Sequence, residues 1–386
     1  MPLTGVDRNY VRETLVQLVQ INSVNPSLAP GAPGEREIAA FIAKSLGGSG
    51  LEVRVWEPER GRCSVTGKLA GTGGGQSLML NAHCDTVDVQ GMPEPFSGAV
   101  RNGKLYGRGA YDMKGSLAAC MGAVRVLAAD GSRLRGDVWI AAVADEEYGS
   151  LGTADLLGHV KTDAAIVTEP TALQTCLAHK GYLWIGVEVD GRAAHGSRFQ
   201  LGIDANMKMG RFLSKLERLE QELRARAPHP LVGPPSLHAA LLNGGTGLST
   251  YAASSKVQIE RRTVPGETES QAVAEIQRLV DEAAAEDRDF HATVRPFFVR
   301  DPFEVAPEAS IVRVLDRAIE QVLGRPAAHI GDTPWMDAAL LQAAGVKTVV
   351  FGPTGEGAHA AVEWVDLESV MQLTQILADA ARQYCA

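Results

Sequence analysis

The stretch Val138–Gly149, V-W-I-A-A-V-A-D-E-E-Y-G, constrains the fold of this chain more than any other. It opens with seven apolar residues in a row, too few to span a membrane and right for a strand buried on both faces. Asp145, Glu146 and Glu147 follow where that strand should end. Open α/β sheets hold their ligands at strand carboxyl ends, and successive residues of an extended segment point opposite ways. Neighbouring acids there can take different jobs, one holding a cation while the next stays free as a base. An isolated D-E-E is more often a solvated loop, so the weight falls on what the rest of the chain adds.

A length of 386 residues is too great for one ordinary core, and two domains are expected. The net charge of -9, with no basic run, argues against a nucleic-acid partner. Cys63, Cys84, Cys120, Cys176 and Cys385 are odd in number, scattered and never spaced C-x-x-C, which excludes a disulfide framework and a thiolate zinc site. No signal-peptide pattern and no membrane-length apolar run are present, so the expected location is cytoplasmic, with no membrane partner.

Helical stripes fit Asp7–Ile21, with Asp7 as N-cap, and Gly34–Leu46; Leu51–Val55 reads as a strand. Gly71–Gly75 lacks the G-K-[ST] ending of a phosphate loop and precedes a strand, so a flexible hairpin tip is expected. The strand Leu78–Ala82 ends in His83-Cys84-Asp85, where alternation puts His83 and Asp85 on one side, as a ligand and its orienting carboxylate require. Gly107–Gly115 holds Asp112 just before an Ala-rich helix, where a plain helix cap is an equal reading in isolation. Ala164–Thr168 is a short apolar run ending in Glu169-Pro170.

From Gly181 the character changes. A strand, a turn containing His195, a long amphipathic helix (about Ile203–Arg226), a strand around Val257–Ile259, a helix at about Glu269–Glu286 and a strand near His291–Val299 suggest a β-α-β-β-α-β insertion, with one strand of its middle pair not placed. The chain then resumes its first style, with a helix at Ile311–Leu323, a buried strand at Lys347–Phe351, the loop Gly352–His359 and a last helix to Tyr384. The expected organisation is one α/β domain, residues 1–180 and 296–386, interrupted by an α+β module, residues 181–295.

His83, Asp112, Glu146, Glu147, Glu169 and His359 collect at strand ends of the α/β part. Imidazoles with carboxylates suit zinc, cobalt or manganese. In order along the chain stand S-V-N-P (Ser23–Pro26), H-C-D-T-V (His83–Val87), G-R-G-A-Y-D-M-K-G (Gly107–Gly115), D-E-E-Y-G-S-L-G-T (Asp145–Thr153), T-E-P-T (Thr168–Thr171), A-A-H-G-S (Ala193–Ser197), E-R-R-T-V-P-G-E (Glu260–Glu267) and F-G-P-T-G-E-G-A-H (Phe351–His359). Over nearly its full length the chain resembles the dinuclear zinc amidohydrolases that include acetylornithine deacetylase, succinyl-diaminopimelate desuccinylase, carboxypeptidase G and the aminoacylases.

The resemblance implies a zinc-exopeptidase-like catalytic domain, a mixed sheet flanked by helices, with an inserted ferredoxin-like lid that dimerises. It implies two divalent ions bridged by Asp112, with His83 and Glu169 completing one and Glu147 and His359 the other. Asp85 would orient His83, and Glu146 would be the general base for a hydroxide formed between the ions. His195, reaching a neighbouring subunit's site, would steady the oxyanion. Arg262 would hold the substrate's α-carboxylate with a two-pronged guanidinium.

The chain departs from many relatives at the lid. Ser249 and Ala252 stand where an Asn and a Pro are common, and His195 is followed by G-S-R-F-Q without a Pro. Trp335, two residues before Asp337, would make the pocket less polar. The expected function is removal of an acyl group from an N-acyl-L-amino acid. A carboxypeptidase or dipeptidase remains open, and so, more remotely, does an inactive metal- or amino-acid-binding protein.

Overall fold

The computed structural model describes residues 5–129 and 134–386, which form two compact units. The first comprises residues up to Leu177, Val305–Ile330 and Met336–Ala386; the second comprises Ala178–Glu304 and Gly331–Trp335. Among the described residues no helix is long and apolar enough to cross a membrane.

The first unit is built on a mixed sheet. Its strands follow the order Glu52–Glu59, Arg62–Leu69, Val138–Val143, Leu78–His83, Ala164–Val167, Lys347–Val350 and Thr175–His179. The four from Val138–Val143 to Lys347–Val350 are parallel and buried, so their carboxyl ends share one edge. That edge delivers His83, the Asp145–Glu147 turn, Glu169 and the loop after Phe351 to one region, as the near-unbroken apolar runs suggest. The helix Gly115–Ala129 is buried almost all round. A Cβ at Gly122 would lie 2.6 Å from Val11 and 2.9 Å from Thr374, so glycine lets the helices Arg8–Gln20 and Leu367–Tyr384 close on it.

Two local expectations change. The strand Arg62–Leu69 carries no clear apolar alternation and goes unrecognised in the sequence. Gly71–Gly75 is not a hairpin tip, because the strands on either side of it are separated in the sheet by Val138–Val143. The loop instead packs on the chain before that strand, with the Thr72 N–H donating to Leu134 O at 2.8 Å.

A small antiparallel sheet joins Ala99–Arg101, Lys104–Tyr106, Trp364–Asp366 and Gly355–Glu356. It ties the loop before Asp112 to the loop carrying His359. A Cβ at Gly357 would sit 1.9 Å from Val362 O, so only glycine lets the second loop fold this tightly.

The second unit is an antiparallel sheet in the order Ser236–Gly244, Ser254–Thr263, Gly181–Asp190, His291–Arg300. The helices Ala205–Ala225 and Glu269–Glu286 cover one face, giving the β-α-β-β-α-β chain order. Leu183, Ile185, Val187 and Val189 alternate into a core with Phe212, Leu216, Ile276 and Leu279. Asp204 caps the first helix, and a Thr268–Gln271 capping box starts the second. His291–Arg300 pairs with Gly181–Asp190 as far as Arg300, so the inserted unit extends past residue 295.

Candidate metal centre

His83 is buried at the end of its strand. Its Nδ1 lies 3.0 Å from the Asp85 carbonyl. A carbonyl only accepts, so Nδ1 carries a proton and Nε2 faces the acids. Nε2 stands 3.1 Å from Asp112 Oδ1 and 3.7 Å from Glu169 Oε1. The second Asp112 oxygen lies 3.3 Å from His359 Nε2, which is 3.0 Å from Glu147 Oε2. Asp112 therefore offers one oxygen to each histidine and caps no helix. Potential ligand atoms of His83, Asp112 and Glu147 lie within 4.8 Å of one another, as do those of His83, Glu146 and Glu169.

Negative charge is in excess here. Burial pushes Glu146 well above the usual carboxylate range, and the charge of Glu169 adds to it. Burial raises Glu147 and Glu169 as well, with Asp112 repelling both. Hydrogen bonds that the His359 ring donates to Asp112 and Glu147 hold it up at about 10. Burial opposes charge on His83, yet Glu169, Asp112 and Asp85 outweigh it and keep the ring well above its ordinary value. Glu147 Oε1 is buried with no hydrogen-bond partner among the described residues. An orphaned carboxylate oxygen among crowded acids and two imidazoles fits divalent cations. Thiolate ligation does not fit: burial pushes Cys84 well above the ordinary thiol value and Cys120 up to about 12.

The surrounding hydrogen bonds explain how such a cluster is held. The Asp85 carboxylate is 3.6 Å from the His83 ring, and its carbonyl makes the orienting contact instead. The carboxylate accepts the N–H groups of Glu146 at 3.1 Å and Glu147 at 3.3 Å, and Asn25 Nδ2 at 2.8 Å, fixing the D-E-E turn. Asp145 sits at φ 70° and turns away from the cluster, accepting Asn25 Nδ2 at 3.0 Å and Arg62 Nη2 at 2.7 Å. Arg62 also pairs with buried Glu35 at 2.7 Å.

Glu363 is the supporting residue that sequence reasoning missed. It is buried and accepts four donors: Arg108 Nη1 at 2.6 Å and the N–H groups of Gly109, Tyr111 and Asp112 at 3.0, 2.9 and 3.1 Å. It thereby clamps the loop presenting Asp112, four residues after His359. Asp337 is also buried; Thr153 Oγ1 donates to it at 2.5 Å, and burial lifts its carboxyl to about 6.

His195 and Arg262 belong to the second unit, and the cluster belongs to the first. His195 is exposed, and its Nδ1 accepts the Ser197 N–H at 3.2 Å. A neutral ring so held carries its proton on Nε2, ready to donate. Arg262 Nε donates to Glu260 Oε1 at 2.7 Å, and its guanidinium lies over Tyr182. Trp335 lies edge-on to Tyr182 and His179.

The family described as peptidase family M20/M25/M40 matches residues 79–383. An acetylornithine deacetylase of Proteus mirabilis is 28% identical, covering 96% of this chain and 95% of its own. A Bacillus subtilis N-formyl-4-amino-5-aminomethyl-2-methylpyrimidine deformylase is 27% identical over 97% and 95%. Among solved structures, aminopeptidase PepT of Bacillus cereus superposes with a TM-score of 0.79 at 18% identity, covering 99% of this chain and all of that one. A dinuclear metal-binding M20 peptidase of Bacillus subtilis superposes at 0.76 with 16% identity, covering 98% of each chain. These two structures bear on the fold alone.

Proposed function

The chain belongs to peptidase family M20/M25/M40, metal-dependent hydrolases of amide bonds, and on that premise we propose that it deacylates an N-acyl-L-amino acid. The observation that carries this reading is Asp112, with one oxygen toward His83 and the other toward His359. A shared carboxylate between two cations offsets their repulsion. On this reading His83 and Glu169 hold one ion, Glu147 and His359 the other, and Asp112 serves both. The donor set suits zinc, cobalt or manganese. Bound divalent ions supply Lewis-acid chemistry, polarising the scissile carbonyl and acidifying water.

This chain's residues do the rest. Glu146, lifted by burial, takes a proton from the attacking water at its carboxylate and returns it to the departing amide nitrogen. His195 donates from Nε2 to the developing oxyanion. Arg262, braced at Nε by Glu260, keeps its two terminal nitrogens for the substrate's α-carboxylate. The strand Ser236–Gly244 is an open sheet edge with Leu241 and Leu242 exposed, whereas the opposite edge carries Pro296 at a bulge. That asymmetry supports a homodimer formed by pairing the first edge, which would bring in a second chain's His195.

The test is amine release, read by mass spectrometry, from a pool of N-acyl amino acids and dipeptides after loading with zinc or cobalt. Preferential deacylation is expected. Cleavage of dipeptides alone overturns this reading in favour of a peptidase.

A further inference from the structure

Strand register in the second unit sets two rows of side chains on the sheet face turned away from the helices. One row runs Ser236, Arg262, Tyr182, Arg300; the next runs His238, Glu260, Trp184, Phe298. Leu237, Arg261 and Leu183 alternate with them and are buried on the helix side. The rings form a continuous floor. Trp184 and Phe298 stack at 4.8 Å, Tyr182 and Phe298 at 5.9 Å, and Trp335 meets Tyr182 edge-on at 6.4 Å. Phe297 lies 6.1 Å from Trp184 and is 51% exposed. Beside them is a depression of about 330 Å³, lined chiefly by Trp184, Ala240, Leu241, Gln258, Glu260 and Phe297.

Arg262 stands at the border of this floor. Glu260 takes its Nε, and Trp184 Nε1 holds the other Glu260 oxygen at 3.1 Å. The Arg262 terminal nitrogens make no hydrogen bond among the described residues, while its Cζ lies 4.9 Å from the Tyr182 ring centre. Arg300 covers Phe298 at 4.3 Å and Trp335 at 5.3 Å. The carboxylate and the side chain of an amino acid leave the same Cα. A substrate whose carboxylate is taken by Arg262 therefore has its side chain within reach of the neighbouring Trp184 and Phe297.

We infer that this face selects substrates whose amino-acid side chain is aromatic. The inference rests on Arg262 holding the α-carboxylate. An aromatic side chain gains ring stacking and contact with guanidinium planes. An aliphatic side chain gains only area. An ammonium, as in ornithine, meets the two guanidiniums that lie over Tyr182, Phe298 and Trp335, so like charge opposes it.

The experiment compares kcat/KM of the zinc- or cobalt-loaded enzyme for N-acetyl-L-phenylalanine, N-acetyl-L-tryptophan, N-acetyl-L-alanine and N-acetyl-L-ornithine. The aromatic substrates are expected to lead by about tenfold or more. In Phe297→Ala, an exposed site that leaves the core intact, and in Trp184→Phe, the phenylalanine-to-alanine ratio should fall several-fold, chiefly through KM. Deacylation with equal rates across the four, or with ornithine first, overturns the aromatic assignment and leaves the deacylase reading standing. An unchanged ratio in both variants also overturns it. Failure to deacylate any of the four, with metal bound, overturns both.

Discussion

The two units treat their chemically charged residues in opposite ways. In the first, His83, Glu146, Glu147 and Glu169 are enclosed by donors and strand ends, with His359 the exposed member of the cluster, and even their supports, Asp85, Asp145, Arg62 and Glu363, are buried and paired. In the second, His195 lies on an exposed turn held through one ring nitrogen, and Arg262 is braced at Nε alone. Residues that hold cations must be fixed before the ion arrives, or repulsion spreads them. Residues that meet a substrate must keep donors open for it.

The sharpest way to break that comparison is Glu146→Gln. It should lower turnover by roughly 10²–10⁴-fold while metal content, read by elemental analysis, stays near the parent's. Substantial residual activity would remove Glu146 from the base role. His195→Ala comes next, with turnover lower by about 10²–10³-fold and metal content unchanged. Mixing His195→Ala chains with Glu146→Gln chains should restore part of the activity, because one mixed site then keeps both groups. No recovery would place the histidine's action within one chain or remove its catalytic role.

Glu363→Gln tests a support rather than a reacting group. Its amide would point a donor toward Arg108 or the Gly109 N–H, loosening the Asp112 loop. Metal affinity, measured by calorimetric titration, should weaken by about 10–100-fold, with the circular dichroism spectrum unchanged. Unaltered affinity would make the clamp incidental. The smallest effect belongs to the second unit's surface: Arg278→Ala removes an exposed pair with Glu282 and should cost only about 0.3–0.5 kcal/mol in denaturant unfolding.

The sequence made the strand-end chemistry legible because His83, the D-E-E turn and Glu169 each follow a short apolar run, where strands of an open sheet present ligands. Support by distant partners leaves no such mark. Glu363 reaches Asp112 across 251 residues, and Arg62 reaches Asp145 across 83. The S-V-N-P segment stood out, yet nothing local showed that Asn25 would bind both Asp85 and Asp145. Ser236–Gly244 escaped notice because an exposed edge strand lacks the buried alternation that betrays a strand. The tight hydrogen-bonded packing of Gly71–Gly75 escaped for a related reason: its partners, Leu134 and Arg135, arrive from beyond the next strand.

Anomalous diffraction from crystals of the cobalt- or zinc-loaded protein tests the central claim most directly. The account predicts two peaks per chain, each in contact with a different Asp112 oxygen, one flanked by His83 and Glu169 and the other by Glu147 and His359. A single peak, or two peaks with Asp112 bound to neither or only one, would contradict it.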